Sequence, residues 1–323
     1  MSQSAILLLA HGTPNRLSEL SDYLQHVTGG RPIPPQVIAE LQHRYAEIGL
    51  REEALAAGPP LTRWTLRQAE LLEKLTGIKV YVGMRNWHPF IADTVAQMRS
   101  DGVPHARVLC LAPQNSRTST GLYKRALEAA VGNTFTCDFI AGWADEPLLA
   151  QAFAERLRPV LAEAGPGAPV LFTAHSVPCR TIRATSAGEA TQSGPVPAEG
   201  IQSYGAATEG DLYPVECKQT AAAVAKLLEL KDNDWHFAFQ SQGVAGAPWI
   251  GPTVEETLKA LAEEGHKAVV IQPIGFLCDH VEILYDIDIN FREVARGLGM
   301  KLYRAESLND SPTLIRALAH VLA

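Results

Sequence analysis

Residues 86–102 read NWHPFIADTVAQMRSDG, and residues 248–265 follow the same pattern as PWIGPTVEETLKALAEEG. In each copy the apolar residues recur at i, i+4 and i+7, the spacing of one face of an amphipathic helix. Each copy ends in an acidic residue followed by glycine, which is favoured just after a helix C-terminus. The aligned pairs, each 163 residues apart, are Pro89 and Pro252, Ile91 and Val254, Val95 and Leu258, Met98 and Leu261, and Gly102 and Gly265.

The duplication predicts the fold. Apolar runs that read as strands alternate with the helical patterns at residues 5–10, 78–83, 107–112, 170–174, 236–240 and 268–272. This alternation is typical of α/β proteins with parallel sheets. We predict two similar doubly wound, Rossmann-like domains that face a central cleft. The N-terminal domain spans 1–145, the C-terminal domain spans 146–306, and a C-terminal helix in 307–323 packs back on the domains.

The bulk composition excludes several classes of protein. The 323 residues include 28 basic and 35 acidic residues, a net charge of −7, which argues against nucleic acid as a partner. No apolar run is long enough for a membrane span, and the N-terminus has no basic segment typical of a signal peptide. The five cysteines form no CxxC pair, so we expect reduced, packed thiols and a cytoplasmic protein.

Two histidines stand at matching strand ends. The stretch 7–14 reads LLLAHGTP and the stretch 171–178 reads LFTAHSVP, so His11 and His175 each follow an apolar run. Ligands of open α/β sheets bind beyond the C-terminal ends of the strands. The later stretch QPIGFLCDHVEILYD, residues 272–286, brings further polar groups to another strand end. We therefore expect one cleft lined by histidines and acids.

The acids after that strand can be read in two ways. Glu282 and Asp286 share one face if the chain is helical, whereas DIDINF, residues 286–291, alternates as a strand would. Ser176 lies in no GxSxG turn, so a hydrolase is disfavoured, and no phosphate-binding glycine motif follows a strand. Residues 182–210 are rich in Ala, Gly, Ser and Thr, and we predict a mobile excursion beside the cleft.

An imidazole and carboxylates in one cleft suit two tasks. They bind a divalent metal such as Fe²⁺, and the imidazole abstracts protons near neutral pH. Insertion of a metal into a porphyrin requires both, because two pyrrole protons leave as the ion enters.

Several motifs resemble those of the ferrochelatase family. TAHSVP is similar to its Ser-Ala-His-Ser-Leu-Pro motif, FQSQGVAGAPWIGP resembles its Gln-Ser and Pro-Trp stretch, and PIGFLCDHVEILYDID resembles its Asp-His-x-Glu signature. YLQHVTGGRPIPPQVIAELQHRYAEIG and LAPQNSRTSTGLYKRA resemble the branch that uses coproporphyrin III. The resemblance implies a chelatase-type fold and a lyase-class metal chelatase that makes coproheme for haem biosynthesis.

The resemblance also implies residue roles. His175 would accept pyrrole protons with Glu282 as its partner. The metal would meet His175, Glu282, Asp286 and Asp288. The porphyrin would contact His11, Gly12, Thr13, Arg31, Arg44, Tyr45, Arg85, Ser116, Ser119, Tyr123 and Trp249.

The chain departs from the family pattern at several places. His11 stands where relatives carry Tyr or Met, and Thr28-Gly29 replaces an arginine pair. The loop REEALAAGPPL, residues 51–61, is longer than in relatives, and 182–210 adds an insertion. These departures bear on the contacts to the propionates. Because neither the insertion nor a C-terminal extension supplies extra cysteines, we expect no iron–sulfur cluster and no prosthetic group.

The implied partners are coproporphyrin III, Fe²⁺ as a substrate, and a coproheme decarboxylase that receives the product. A monomer is expected. Three alternatives remain open: a protoporphyrin IX ferrochelatase, a chelatase for another metal and tetrapyrrole, and a porphyrin or haem carrier without catalysis.

Overall fold

The computed structural model describes residues 4–53, 55, 58–132, 134–182, 211–242 and 248–323. Its first half contains β1 (Ala5–Ala10), α1 (Leu20–Thr28), α2 (Pro35–Glu47), α3 (Pro60–Thr76), β2 (Val80–Met84), α4 (Ile91–Ser100), β3 (His105–Cys110), α5 (Thr120–Val131) and β4 (Thr136–Ile140). Its second half contains α6 (Pro147–Ala164), β5 (Val170–His175), α7 (Cys179–Ile182), α8 (Tyr213–Leu227), β6 (Trp235–Gln240), α9 (Val254–Glu263), β7 (Ala268–Pro273), α10 (Val281–Leu284), a π-helix (Asp286–Phe291), α11 (Arg292–Gly297), β8 (Lys301–Arg304) and α12 (Pro312–Val321).

The strands form two parallel four-stranded sheets with the same strand order. The first sheet runs β2-β1-β3-β4 and the second runs β6-β5-β7-β8. The inner strands β1 and β5, one in each sheet, are almost entirely buried, as expected of parallel strands covered by helices on both faces. The matching orders confirm the predicted α/β fold class and the duplication.

Two strands are missing from the prediction. β4 and β8 close one edge of each sheet, and they span only five and four residues. The duplicated helices are confirmed as α4 and α9. Gly102 and Gly265 follow them with φ of 72° and 94°, the left-handed conformation expected after a helix C-terminus.

The strand interpretation of DIDINF is wrong. Residues 286–291 form a π-helix directly after the short helix α10. The alternating pattern is misleading because burial does not alternate along this segment. Ile287 and Phe291 are buried, and Asp286 is buried as well, with a hydrogen bond from Ser241. Of the predicted mobile excursion 182–210, Ile182 ends α7, and residues 183–210 lie outside the described residues.

The last helix contacts both halves of the chain. α12 packs against α3 and α6, and Arg107 of β3 donates to the carbonyl of Leu322. These contacts agree with a helix that folds back, whereas the division at residues 145 and 146 stays a prediction. None of the described helices is both long and apolar enough to cross a lipid bilayer. None of the five cysteines is in a disulfide.

Candidate active site

His175 is the last residue of β5, and its side chain faces an acid that follows β7. Nε2 of His175 lies 3.5 Å from Oε1 of Glu282, and the other carboxylate oxygen lies 3.6 Å from Nε2 of His280. The Nδ1 side of His175 contacts the carbonyl of Ser176, which directs Nε2 toward the carboxylate. The two neighbouring strands β5 and β7 thus bring these groups together, as the sequence predicts.

His175 and Glu282 form an ion pair, and each shifts the pKa of the other. Burial alone would lower the pKa of His175, but the adjacent Glu282 carboxylate outweighs it, and the pKa rises to about 9. Burial would raise the pKa of Glu282, but His175 and His280 hold it well below its usual value. In the protein without ligand, His175 is therefore an imidazolium near neutral pH and Glu282 is a carboxylate.

Asp286 lies beyond Glu282, at the start of the π-helix. Ser241 donates to its Oδ2 at 2.6 Å, and Nη1 of Arg44, from α2 in the first half, lies 3.3 Å from its Oδ1. Burial, together with the charge of Glu282, raises the pKa of Asp286 to about 6 despite these partners. Glu282 and Asp286 are thus neighbouring acids, close enough for the charge of one to affect the pKa of the other.

The opposite wall is formed by His11 at the end of β1. Asn86 lies 2.9 Å from Nε2 of His11, and Tyr23 lies 3.2 Å from Nδ1, so both ring nitrogens are hydrogen-bonded. Burial and the charge of Arg85 lower the pKa of His11 to about 4, so this imidazole is neutral. The two duplicated histidines therefore carry opposite protonation states near pH 7.

Glycine is required after His11. Gly12 has φ of 86°, and a Cβ there would lie 2.8 Å from the backbone nitrogen of Trp87. The next residue, Thr13, donates to the hydroxyl of Tyr45 at 3.4 Å. This close approach fixes the wall of the cleft at residues 11–13.

The two halves meet across this cleft. Thr13 and Tyr45 from the first half line one small cavity together with His280 and Val281 from the second. On the first-half wall, the guanidinium of Arg85 lies 5.8 Å from the ring centre of Tyr123. Its buried Nε donates to no group in the described part of the chain.

Comparison with known proteins decides the family. The ferrochelatase family profile matches residues 3–323. The chain belongs to the ferrochelatase family. It is 54% identical to a ferrochelatase of Acidobacterium capsulatum, over 99% of this chain and 93% of the relative. It is 30% identical to a coproporphyrin III ferrochelatase of Oceanobacillus iheyensis, over 98% of this chain and 95% of the relative.

The fold is also found in a more distant solved structure. SirB from Bacillus subtilis, solved with Fe³⁺, matches with a TM-score of 0.53 at 11% identity, over 99% of this chain and 94% of that one. At this identity the match supports the two-domain α/β fold of the ferrochelatase and nothing about its substrate.

Not every residue predicted for this ferrochelatase site faces the cluster. Asp288 accepts from Nε of Arg304 at 2.7 Å and lies 3.4 Å from Arg292, so its charge is already compensated. Arg31 is exposed and donates to the carbonyl of Thr28 in its own loop. A role of Asp288 in the path of the iron and a role of Arg31 in porphyrin binding therefore stay predictions.

Three other residues are predicted to contact the porphyrin: Trp249, Ser116 and Ser119. The ring of Trp249 lies 6.4 Å from that of His175, centre to centre. Ser116 is buried and donates to Asp211, whereas Ser119 is half-buried just before α5. Ser116 therefore cannot offer its hydroxyl proton to a propionate without losing Asp211.

Several side chains that support the ferrochelatase site were not singled out from the sequence. Gln240 donates to the carbonyl of Glu282 at 2.9 Å, and Tyr213 donates to that of His175 at 3.0 Å. Asn86 and Tyr23 hold His11. Gln240 lies in the quoted FQSQG motif, and Asn86 and Tyr23 begin the quoted stretches NWHPF and YLQHV, so these motifs are the signal that could have found them.

A larger groove lies elsewhere on the ferrochelatase surface. It has a volume of about 730 Å³ and runs along the open edge of β2 between α3 and α4, where Leu66, Glu73 and Thr94 are among its lining residues. No residue of the histidine and acid cluster lines it. The clustered titratable groups therefore make the cleft, rather than this groove, the candidate active site.

Proposed function

We propose that this ferrochelatase inserts Fe²⁺ into coproporphyrin III to give coproheme, with His175 as the proton acceptor and Glu282 as its partner. The observation that carries the chemistry is the 3.5 Å approach of His175 Nε2 to Glu282 Oε1 at the strand ends that face His11 and Arg85. The wall from the second half of the chain carries His175 beside the acids Glu282 and Asp286. The wall from the first half carries the neutral imidazole of His11 and the guanidinium of Arg85.

The proton transfer needs His175 in its neutral form. An imidazolium cannot accept a pyrrole proton, so the proton that Glu282 stabilises on His175 has to leave first. An approaching Fe²⁺ disfavours a positive charge on the ring, and it is attracted by Glu282 and Asp286 at the same time. Metal approach and activation of the base are therefore coupled, since both depend on the same carboxylate.

Porphyrin binding is attributed to the arginines and hydroxyls of the cleft wall. Coproporphyrin III carries four propionates, and arginine binds a carboxylate through two parallel hydrogen bonds. Arg85 supports this assignment because its guanidinium stands beside Tyr123 without a carboxylate partner among the described residues. Arg44 is paired with Asp286, so it would have to give up this ion pair in order to bind a propionate.

The choice of coproporphyrin III is supported by relatives as well as motifs. Curated relatives at 30% to 32% identity are named coproporphyrin III ferrochelatases, whereas the relative at 54% is named only ferrochelatase. We propose a cytoplasmic enzyme, since free thiols suit a reducing compartment. A monomeric state and handover of coproheme to a decarboxylase remain predictions.

The test is anaerobic Fe²⁺ insertion, followed by absorbance, with coproporphyrin III and protoporphyrin IX side by side. We expect kcat/KM for coproporphyrin III to exceed that for protoporphyrin IX at least about tenfold, which corresponds to about 1.4 kcal/mol of binding to the additional propionates. His175→Ala should abolish turnover, while His266→Ala, at a surface histidine, should not.

Each other outcome has its own meaning. A preference for protoporphyrin IX would contradict the proposed substrate and leave the family assignment intact. Tight porphyrin binding without metal insertion would instead favour a carrier, and His175→Ala would then keep its affinity. Faster insertion of Co²⁺ than Fe²⁺ would favour a chelatase for another metal.

A further inference from the structure

The start of α8 in the second half is hydrogen-bonded to the loop 114–117 of the first half at three successive points. Asp211 accepts from Ser116 Oγ at 3.0 Å and from the backbone of Arg117 at 2.9 Å. Glu216 accepts from the backbone of Asn115 at 2.5 Å. One turn further, Thr220 accepts from the side-chain amide of Gln114 at 3.2 Å. The loop is thus held by α8.

Asp211 has a second set of contacts that leads to the catalytic histidine. Its other oxygen, Oδ1, accepts from the backbone of Tyr213 at 3.1 Å, at the start of α8. The hydroxyl of Tyr213 in turn donates to the carbonyl of His175 at 3.0 Å. Asp211 and Tyr213 are each only 7% exposed, so water cannot replace these bonds easily.

We propose that Asp211 is a positioning residue that fixes the porphyrin-binding loop 114–119 relative to His175. The proposal rests on the proposed function, which places Ser119 and the neighbouring cleft wall against the porphyrin and makes His175 the proton acceptor. Three donors from two halves of the chain converge on one carboxylate: Ser116 Oγ–H, Arg117 N–H and Tyr213 N–H.

The two carboxylate oxygens of Asp211 together accept from all three donors. An amide of the same shape has a single acceptor oxygen, so Asp211→Asn would turn an NH₂ group toward either the loop or the backbone of Tyr213. The loop would then lose one of the three points at which it is held to the start of α8, while the contacts of Glu216 and Thr220 remain. A shift of the loop would weaken porphyrin binding, and a shift of Tyr213 would misplace His175.

The variants are chosen to separate positioning from stability. Asp211→Asn removes the anchor. Ser116→Ala removes one donor on the loop and leaves the bond to Tyr213, so it also serves if Asp211→Asn fails to fold. Glu146→Gln is a matched control, because Glu146 is a buried carboxylate, 8% exposed, that accepts from the backbone of Leu148 at the start of α6 and does not bond the loop.

The readouts are coproporphyrin III affinity by fluorescence quenching without metal, kcat and KM for anaerobic Fe²⁺ insertion, and hydrogen exchange at residues 114–119. We expect Asp211→Asn to raise Kd and KM about tenfold and to lower kcat about fivefold, with faster exchange in the loop. Ser116→Ala should raise KM and leave kcat within about twofold. The double variant should have the KM of Asp211→Asn, because the bond that Ser116→Ala removes ends on Asp211.

Glu146→Gln should lower Tm and leave Kd, KM and kcat within about twofold. Asp211→Asn behaving like Glu146→Gln, with unchanged loop exchange, would overturn the proposal. A purely structural role lowers Tm without changing the affinity of the folded protein. If the wild type prefers protoporphyrin IX, the substrate assignment fails, and the same comparison with protoporphyrin IX still decides the role of Asp211.

Discussion

Arg44 and Asp286 form an ion pair that joins the two halves across the candidate active-site cleft, with Nη1 and Oδ1 3.3 Å apart. The side chain of Asp286 is 9% exposed and that of Arg44 is 35% exposed, so the acid is the buried partner. Arg44 also contacts Glu40 on its own helix, 3.0 Å away. A porphyrin propionate at Arg44 and an Fe²⁺ ion at Asp286 would each compete with this pair, so we expect the two substrates to influence one another's binding.

Asp286 should make stability depend on pH. Its pKa of about 6, raised by burial, exceeds the value near 3.9 expected in the unfolded chain. The folded protein therefore binds the extra proton between about pH 4 and pH 6, and the contribution of Asp286 to stability falls as the pH rises through that window. The wild type should therefore lose about 2 kcal/mol of unfolding free energy from this group between pH 4.5 and pH 7.5. Asp286→Asn has no titrating group at this position, so its stability relative to the wild type should increase by the same amount.

Urea unfolding at the two pH values measures this gain. Asp101→Asn is a control, because hydrogen bonds from Tyr81 and Gln97 lower the pKa of Asp101, so this carboxyl titrates below both pH values. The stability difference between that variant and the wild type should therefore be nearly the same at pH 4.5 and pH 7.5. An equal difference between Asp286→Asn and the wild type at both pH values would contradict the assignment.

The rate of metal insertion should rise with pH. His175 has a pKa of about 9 because the Glu282 carboxylate outweighs the effect of burial. The neutral form needed to accept a proton increases about tenfold per pH unit below that value, so kcat/KM should rise about tenfold per unit from pH 6 to pH 8. Anaerobic initial rates across this range test the slope.

Glu282→Gln should change the shape of this profile. Without the carboxylate, burial lowers the pKa of His175, so the profile should flatten above about pH 7 at a lower maximum rate. Glu264→Gln removes the carboxylate of a surface pair with His266, 3.7 Å away, and should keep the wild-type profile. A flat wild-type profile would mean that His175 is not the base or that another step limits the rate.

Asp288 and Asp286 should differ in their effect on iron. Asp288 is bound by Arg304 at 2.7 Å, whereas Asp286 lies next to Glu282 in the site. We expect Asp286→Asn to raise KM for Fe²⁺ about fivefold to tenfold. Asp288→Asn should leave KM within about twofold and cost about 1 kcal/mol of stability through the lost ion pair. Equal increases in KM for both variants would support the sequence prediction that Asp288 belongs to the iron path.

Arg85 should act on both the porphyrin and His11. Arg85→Met removes a donor for a propionate, so KM for coproporphyrin III should rise about tenfold. It also removes a charge that, after burial, lowers the pKa of His11, so the pKa should rise from about 4 and stay below its usual value. NMR titration of His11 measures the second effect.

A matched control separates local from general effects of losing an arginine. Arg63 lies 4.8 Å from the ring centre of Trp64 on α3, so Arg63→Met also removes an arginine from an aromatic ring. This variant should leave both KM and the pKa of His11 unchanged. An unchanged pKa of His11 in Arg85→Met would show that the two side chains do not share one wall in solution.

The order of the elements was predictable from local patterns. Apolar residues at i, i+4 and i+7 gave α4 and α9, and apolar runs gave the buried strands, because the side-chain periods of helix and strand act over a few neighbouring residues. The edge strands β4 and β8 escaped detection since they are short and partly exposed. The π-helix escaped because its sequence alternates in the manner of a strand.

The partners of the polar side chains were decided by tertiary structure. The sequence by itself determined the duplication and indicated, through motifs, that His175 and Glu282 share a site. It contains no signal that Arg44 pairs with Asp286, 242 residues away, or that Ser116 binds Asp211, 95 residues away. Such pairs form only when the two halves dock, because hydrogen bonds depend on distances of about 3 Å that no local period encodes.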